Sequence, residues 1–146
     1  MKSVLMKIAC ATLACLLLFA LAGCAADKSE AVEKAFTDEG YSVSKAEADN
    51  ETVQGLLSLL LNEEQRESVS EYEIMLCVPD GLMNIANSAI VIKFPSAGDL
   101  KDFLTVEKDG EKDTSMYDEA KDDGTINGNC LLITAGSEAK DIFKKA

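Results

Sequence analysis

The chain carries five cysteines, 26 carboxylates and no histidine. The missing imidazole removes the commonest general base and the commonest neutral metal ligand. No Ser-His-Asp or Cys-His arrangement can be assembled, and no zinc site of the usual Cys/His kind can be built. A Gly-rich phosphate loop is also missing. Two carboxylates facing a cleft would suffice for glycoside hydrolysis. Here, however, the acids fall on polar loops and the polar faces of amphipathic segments, where they read as a solvated surface. No catalytic residue is assigned, and no cofactor is expected.

One stretch invites a metal reading, Asp122-Asp123-Gly124-Thr125-Ile126-Asn127-Gly128. Set in the register of an EF-hand loop, Glu119 takes the first ligand position. Lys121 then falls where an acidic ligand is wanted, and Cys130 stands where the loop needs a bidentate Glu. The stretch therefore reads as an Asx/Gly turn, with no metal.

A different cysteine has the setting its chemistry needs. Lys2 and Lys7 precede an uncharged run of fifteen residues, Ile8 to Ala22. That is the layout of an export signal, and it is short of the ~20 residues a membrane-crossing helix requires. The run ends in Leu21-Ala22-Gly23-Cys24, small residues leading to a thiol. These four residues resemble the lipobox of bacterial lipoproteins and match its pattern at every position. The resemblance covers the first 24 residues. It implies cleavage between Gly23 and Cys24, a thioether-linked diacylglycerol with palmitate-type chains on Cys24, and residues 1–23 as a signal peptide. The implied location is the extracytoplasmic side of the cell membrane. Ala25 lacks the aspartate that this family associates with inner-membrane retention, so a two-membrane envelope would imply the outer membrane. Two acyl chains anchor stably where one is marginal.

Removing residues 1–23 leaves 123 residues, the size of one domain. Residues 24–27 read as lipidated terminus and short linker, and 28–146 as a single domain. The lost segment holds two lysines and no acid, so the net charge moves from −12 to −14. Nucleic-acid binding rests on Lys and Arg neutralising phosphates, which makes nucleic acid an unsuitable partner. Cys10 and Cys15 leave with the signal. Cys77 and Cys130 remain, each inside an apolar run, and are expected as free buried thiols.

Along the mature chain, Asp27-x-x-Glu30 suggests a capping box opening a helix that Gly40 stops. Tyr41 to Ser44 alternates as a strand. From Asn50 or Glu51, the apolar series Val53, Leu56, Leu57, Leu60, Leu61 predicts one core helix. Strands are expected over Tyr72–Val78 and Ala89–Phe94, parted by the turn Pro79-Asp80-Gly81. Ser96-x-x-Asp99 caps a helix bearing Leu100, Phe103 and Leu104. Residues 107–129 are polar and turn-rich, with at most a short strand near Ser115 to Ala120. Cys130 to Thr134 is the last strand, followed by a helix through Ala139, Ile142 and Phe143.

This order is β-α-β-β-α-β with an additional helix at each end, an α+β fold of ferredoxin-like type. Its strands are apolar on both faces, so a terminal helix or a partner must cover the second face. In that strand order Cys77 and Cys130 lie on opposite edges, too far apart to bridge. Leu131, Leu132 and Ile133 carry no gatekeeper charge and form a candidate partner-binding edge. The functional expectation is a lipid-anchored binding or scaffolding module with a protein partner. The alternatives are a small-ligand or solute-binding accessory lipoprotein and, without support in any motif, a carboxylate-based hydrolase. In length and layout the chain resembles small bacterial lipoproteins, a likeness that implies no activity.

Overall fold

The computed structural model describes residues 27–81 and 85–146; Leu21-Ala22-Gly23-Cys24 lies outside them. The elements, in chain order, are α1 (Ser29–Asp38), β1 (Tyr41–Ala46), α2 (Glu51–Leu57), α3 (Glu63–Ser68), β2 (Glu73–Pro79) and β3 (Ala89–Lys93). Then follow α4 (Ala97–Phe103), β4 (Val106–Lys108), β5 (Glu111–Asp113), α5 (Ser115–Asp122), β6 (Ile126–Asn127), β7 (Cys130–Thr134) and α6 (Ser137–Lys145). The fold is α+β, with a five-stranded antiparallel sheet in the order β1-β2-β3-β7-β6 and a separate β4-β5 hairpin.

Period-2 alternation sorts the strand residues onto two apolar faces. Ile74, Ile90, Ile92, Leu131 and Ile133 meet Val53, Leu56 and Leu57 of α2, with Leu100 and Leu104 at α4. Met75, Cys77, Val91, Cys130 and Leu132 meet Val32 and Phe36 of α1, and Ala139, Ile142 and Phe143 of α6. The second face is thus covered by the two terminal helices, as the doubly apolar strands require.

The strand order differs from the expected ferredoxin-like one. A single helix running back along a sheet returns the chain to the strand's starting end, so that the next strand runs parallel. Here each long connection contains two helices and goes out and back. The leucine stripe does not continue as one helix. After Leu57 the chain tightens, with Leu59 and Leu60 N–H donating to the carbonyls three residues earlier, Leu56 and Leu57. Asn62 then restarts a helix by a capping box with Gln65. In the second connection, residues 115–122 form α5 where at most a strand was expected. Each strand therefore enters at the end where its predecessor left and pairs with it antiparallel.

Cys77 and Cys130 are accordingly not on edges. Their strands flank β3, and the register places Cys77 opposite Ala89 but Cys130 opposite Lys93. The two residues stand roughly 10 Å apart across the sheet and roughly 13 Å apart along it. Both are free, far beyond bridging reach.

Asp27 fixes the start of α1. Its Oδ1 accepts from the Ser29 N–H at 3.0 Å and the Ser29 hydroxyl at 2.7 Å. This replaces the expected capping box with Glu30. Its Oδ2 lies 3.2 Å from Lys93 Nζ. At the other end of α1, Gly40 takes φ +81° and ends the helix.

Candidate functional site

Leu131, Leu132 and Ile133 are buried, at 3 % exposure or less, and β7 is not a bare edge. Ile126 and Asn127 of β6 pair with Leu131 and Cys130. Among the described residues the outermost strands are β1 and the two-residue β6, and Ser42, Ser44 and Lys45 of β1 are exposed, polar residues of the kind that guard an edge.

The outer side of β7 is nevertheless paired along only half its length. The Leu132 N–H donates to the Thr125 carbonyl at 2.8 Å, while the Thr125 N–H turns away to the Ala120 carbonyl at 3.0 Å. That leaves the Leu132 carbonyl without its reciprocal bond. Backbone polar groups alternate sides along a strand, so the Thr134 N–H and C=O point the same way as those of Leu132. Beyond Thr125 the chain runs back into α5, and no strand continues β6.

A groove of about 410 Å³ occupies this position. Its lining includes both Leu132 and Ile133, which face opposite sides of the sheet. One groove can touch both only by lying at the sheet's edge. Apolar Leu59, Leu60 and Met116 and charged Glu119, Asp123 and Lys140 all line it. Leu59 is the most exposed large apolar side chain among the described residues, at 58 %. Lys140 Nζ sits 3.8 Å from Asp123 Oδ2, so the carboxylate once considered for calcium faces a lysine. Among the described residues no three His, Cys, Asp or Glu side chains group to hold a metal ion.

A second groove lies between α3 and α4, rimmed by Glu64, Glu71, Asp99 and Asp102. Asp99 there accepts from the Ser96 hydroxyl at 2.5 Å, as part of the α4 cap.

The thiols are placed for packing. Burial pushes Cys77 and Cys130 each up to about 12, leaving them protonated and poorly nucleophilic. Asp27 moves the other way, to about 2, because the Ser29 hydroxyl and N–H and the Lys93 ammonium favour its charged form.

Sequence reasoning missed Asn129, which is 1 % exposed. Its side-chain oxygen accepts from the Lys28 N–H, and its amide donates to the Phe94 carbonyl, both at 2.8 Å. Its only signal was a polar residue between a turn glycine and an apolar strand. Among the described residues no helix is long and apolar enough to cross a membrane. No family model, curated protein or solved structure matches this chain.

Proposed function

We propose that the protein is an extracytoplasmic lipoprotein, held to the membrane by an acylated Cys24, that acts by binding a partner through the groove beside β7. The stretch Leu21-Ala22-Gly23-Cys24, following an uncharged run of signal length, carries the anchor. The bonds that tie Asp27 and Lys28 to the fold support it. With Asp27 and Lys28 already bonded to Ser29, Lys93 and Asn129, only two residues separate Cys24 from the fold. Three residue steps span at most about 10 Å, so the end of the sheet bearing Lys93 and Asn129 is held next to the headgroups. Anchoring then rests on Cys24, since a body of charge −14 gains nothing from anionic lipid.

The half-open edge of β7 carries the binding part of the reading. Crosslinking in native membranes tests it: a benzophenone amino acid at Leu59 should capture a specific neighbour, and the same label at Lys34 on α1 should not. Identical capture from both positions would count against the groove.

A small-ligand accessory role is the second reading, favoured by the groove volume, which falls within the ~300–1,000 Å³ of ligand pockets. The hydrolase alternative would draw on the acid-rimmed groove between α3 and α4. Its acids lie on an exposed rim, and no observation pairs two of them across it.

A further inference from the structure

One end of the molecule is laced together by bonds that also collect its lysines. Lys93 Nζ lies 3.2 Å from Asp27 Oδ2, and the N–H of the next residue, Lys28, donates to Asn129 at 2.8 Å. Two residues before Asn129, the Asn127 amide donates to the Phe143 carbonyl at 3.1 Å, which brings in the last turn of α6. That turn carries Lys144 and Lys145, both exposed, and the Lys144 stem lies across Gly124. Lys28, Lys144 and Lys145 form no ion pair among the described residues. Glu30 and Asp141 are the acids of α1 and α6 nearest to them in sequence, and both are exposed.

The same end of the sheet is charged differently beside β1 and β2. The register sets Ala46 opposite Ile74, so Glu47 and Asp49 leave the sheet where Glu71 and Glu73 enter it. All four are exposed. Lys45 pairs with Glu73 at 3.4 Å, and the other three form no ion pair among the described residues. Charge is therefore divided across one end, lysine-bearing beside α1 and α6 and acidic beside β1 and β2.

From this division we infer that the tethered body turns its lysine-bearing corner, Lys28, Lys144 and Lys145, onto the phosphates of an anionic lipid surface. The inference rests on the lipoprotein reading, because Cys24 lies three residue steps from Asp27 at this corner. Surface charge is screened within roughly 10 Å. The corner nearest the tether therefore feels it, while Glu39 and Asp80, at the far end of β1 and β2, do not. Each lysine held at such a surface favours this orientation about fivefold. The acidic half of the same end is repelled by the same rule, so the lysines orient the body and do not anchor it.

The test places the acylated full-length protein in nanodiscs containing a gadolinium-chelating lipid and follows the broadening of amide resonances by NMR. In discs rich in phosphatidylglycerol, broadening should be strong at Phe143–Lys145 and weak at Glu47–Asp49. Phosphatidylcholine discs or high salt should remove that contrast. Lys144→Glu combined with Lys145→Glu should abolish it, and Lys144→Arg combined with Lys145→Arg should keep it. Both side chains are exposed, so either pair of changes should leave the remaining spectrum in place and the protein in the disc. A contrast that survives the double reversal, or stronger broadening at Glu47–Asp49, would overturn the inference. A protein that enters the discs and shows equal broadening in the two halves sinks this inference alone. One that carries no acyl chains and stays outside sinks the anchor and the inference together.

Discussion

The main-chain N–H of Lys28 donates to the side-chain oxygen of Asn129 at 2.8 Å, joining residues 101 positions apart in the chain. The Asn129 amide donates to the Phe94 carbonyl at 2.8 Å, and the Phe94 N–H returns to the Asn129 carbonyl at 2.9 Å. One buried side chain thus fixes the start of the body, the end of β3 and the start of β7 together. Asn129→Ala leaves an amide N–H and a carbonyl without partners and should cost about 2 kcal/mol. Urea unfolding should show a lower midpoint with an unchanged slope. An unchanged midpoint would show that this bond set carries no stability.

Asp27 links the same end of the body to pH. Its folded value, about 2, lies below that of an unfolded aspartate. A depressed carboxylate adds stability that is fully present above about pH 4 and lost as the pH falls towards 2. Asp27→Asn should therefore lower stability near pH 5 and make little difference below pH 2. Unfolding midpoints of both proteins across this range decide it. A difference that persists unchanged at pH 2 would contradict the ionic assignment.

Cys77 and Cys130 are fully buried and should ignore thiol reagents in the native state at pH 8, then both react in denaturant. Mass spectrometry of the labelled protein should find no bond between them. Their raised values also set an alkaline limit. The stability they contribute is complete below the unfolded thiol value of about 8.5 and is lost as pH rises towards about 12. Native labelling of Cys130 at pH 8 would mean that the second face of the sheet opens.

Gly136 lies in the loop between β7 and α6, where its neighbours leave no room for a side chain. An added Cβ would meet Asn87 Oδ1 at 2.8 Å, the Ala86 carbonyl oxygen at 2.9 Å and Asn87 Cα at 3.0 Å. Two of these are backbone atoms that cannot swing aside. Gly136→Ala should cost about 2 kcal/mol through overpacking, read as a lower melting temperature. A neutral outcome would show that the 85–87 turn can shift.

The strands were legible in the sequence because β2, β3 and β7 are apolar on both faces and stand between turn residues such as Pro79-Asp80-Gly81. α1, α4 and α6 were legible from their apolar spacing and from stops and caps such as Gly40 and Ser96. The strand order was not. It depended on whether each connection held one helix or two, and the deciding signals were small: the Asn62–Gln65 cap and the tightened turn at Leu59 and Leu60. The continuous leucine stripe masked the first break. Ser115 to Asp122, with Met116, Tyr117 and Ala120 as its apolar anchors against the core, lacked a stripe long enough to identify the second helix. The run Leu131-Leu132-Ile133, read as a candidate edge, is buried and partly paired with β6. Its side chains are core, divided between the two faces of the sheet.

The anchor carries the rest of the functional reading, and Cys24→Ser tests it most directly. The unsubstituted protein should sediment with membranes and yield an N-terminal peptide beginning at Cys24 with the mass of added acyl chains. Cys24→Ser should appear in the soluble fraction or retain residues 1–23 uncleaved. A Cys24→Ser protein that is still cleaved at Gly23 and remains firmly membrane-bound would contradict the assignment of this stretch.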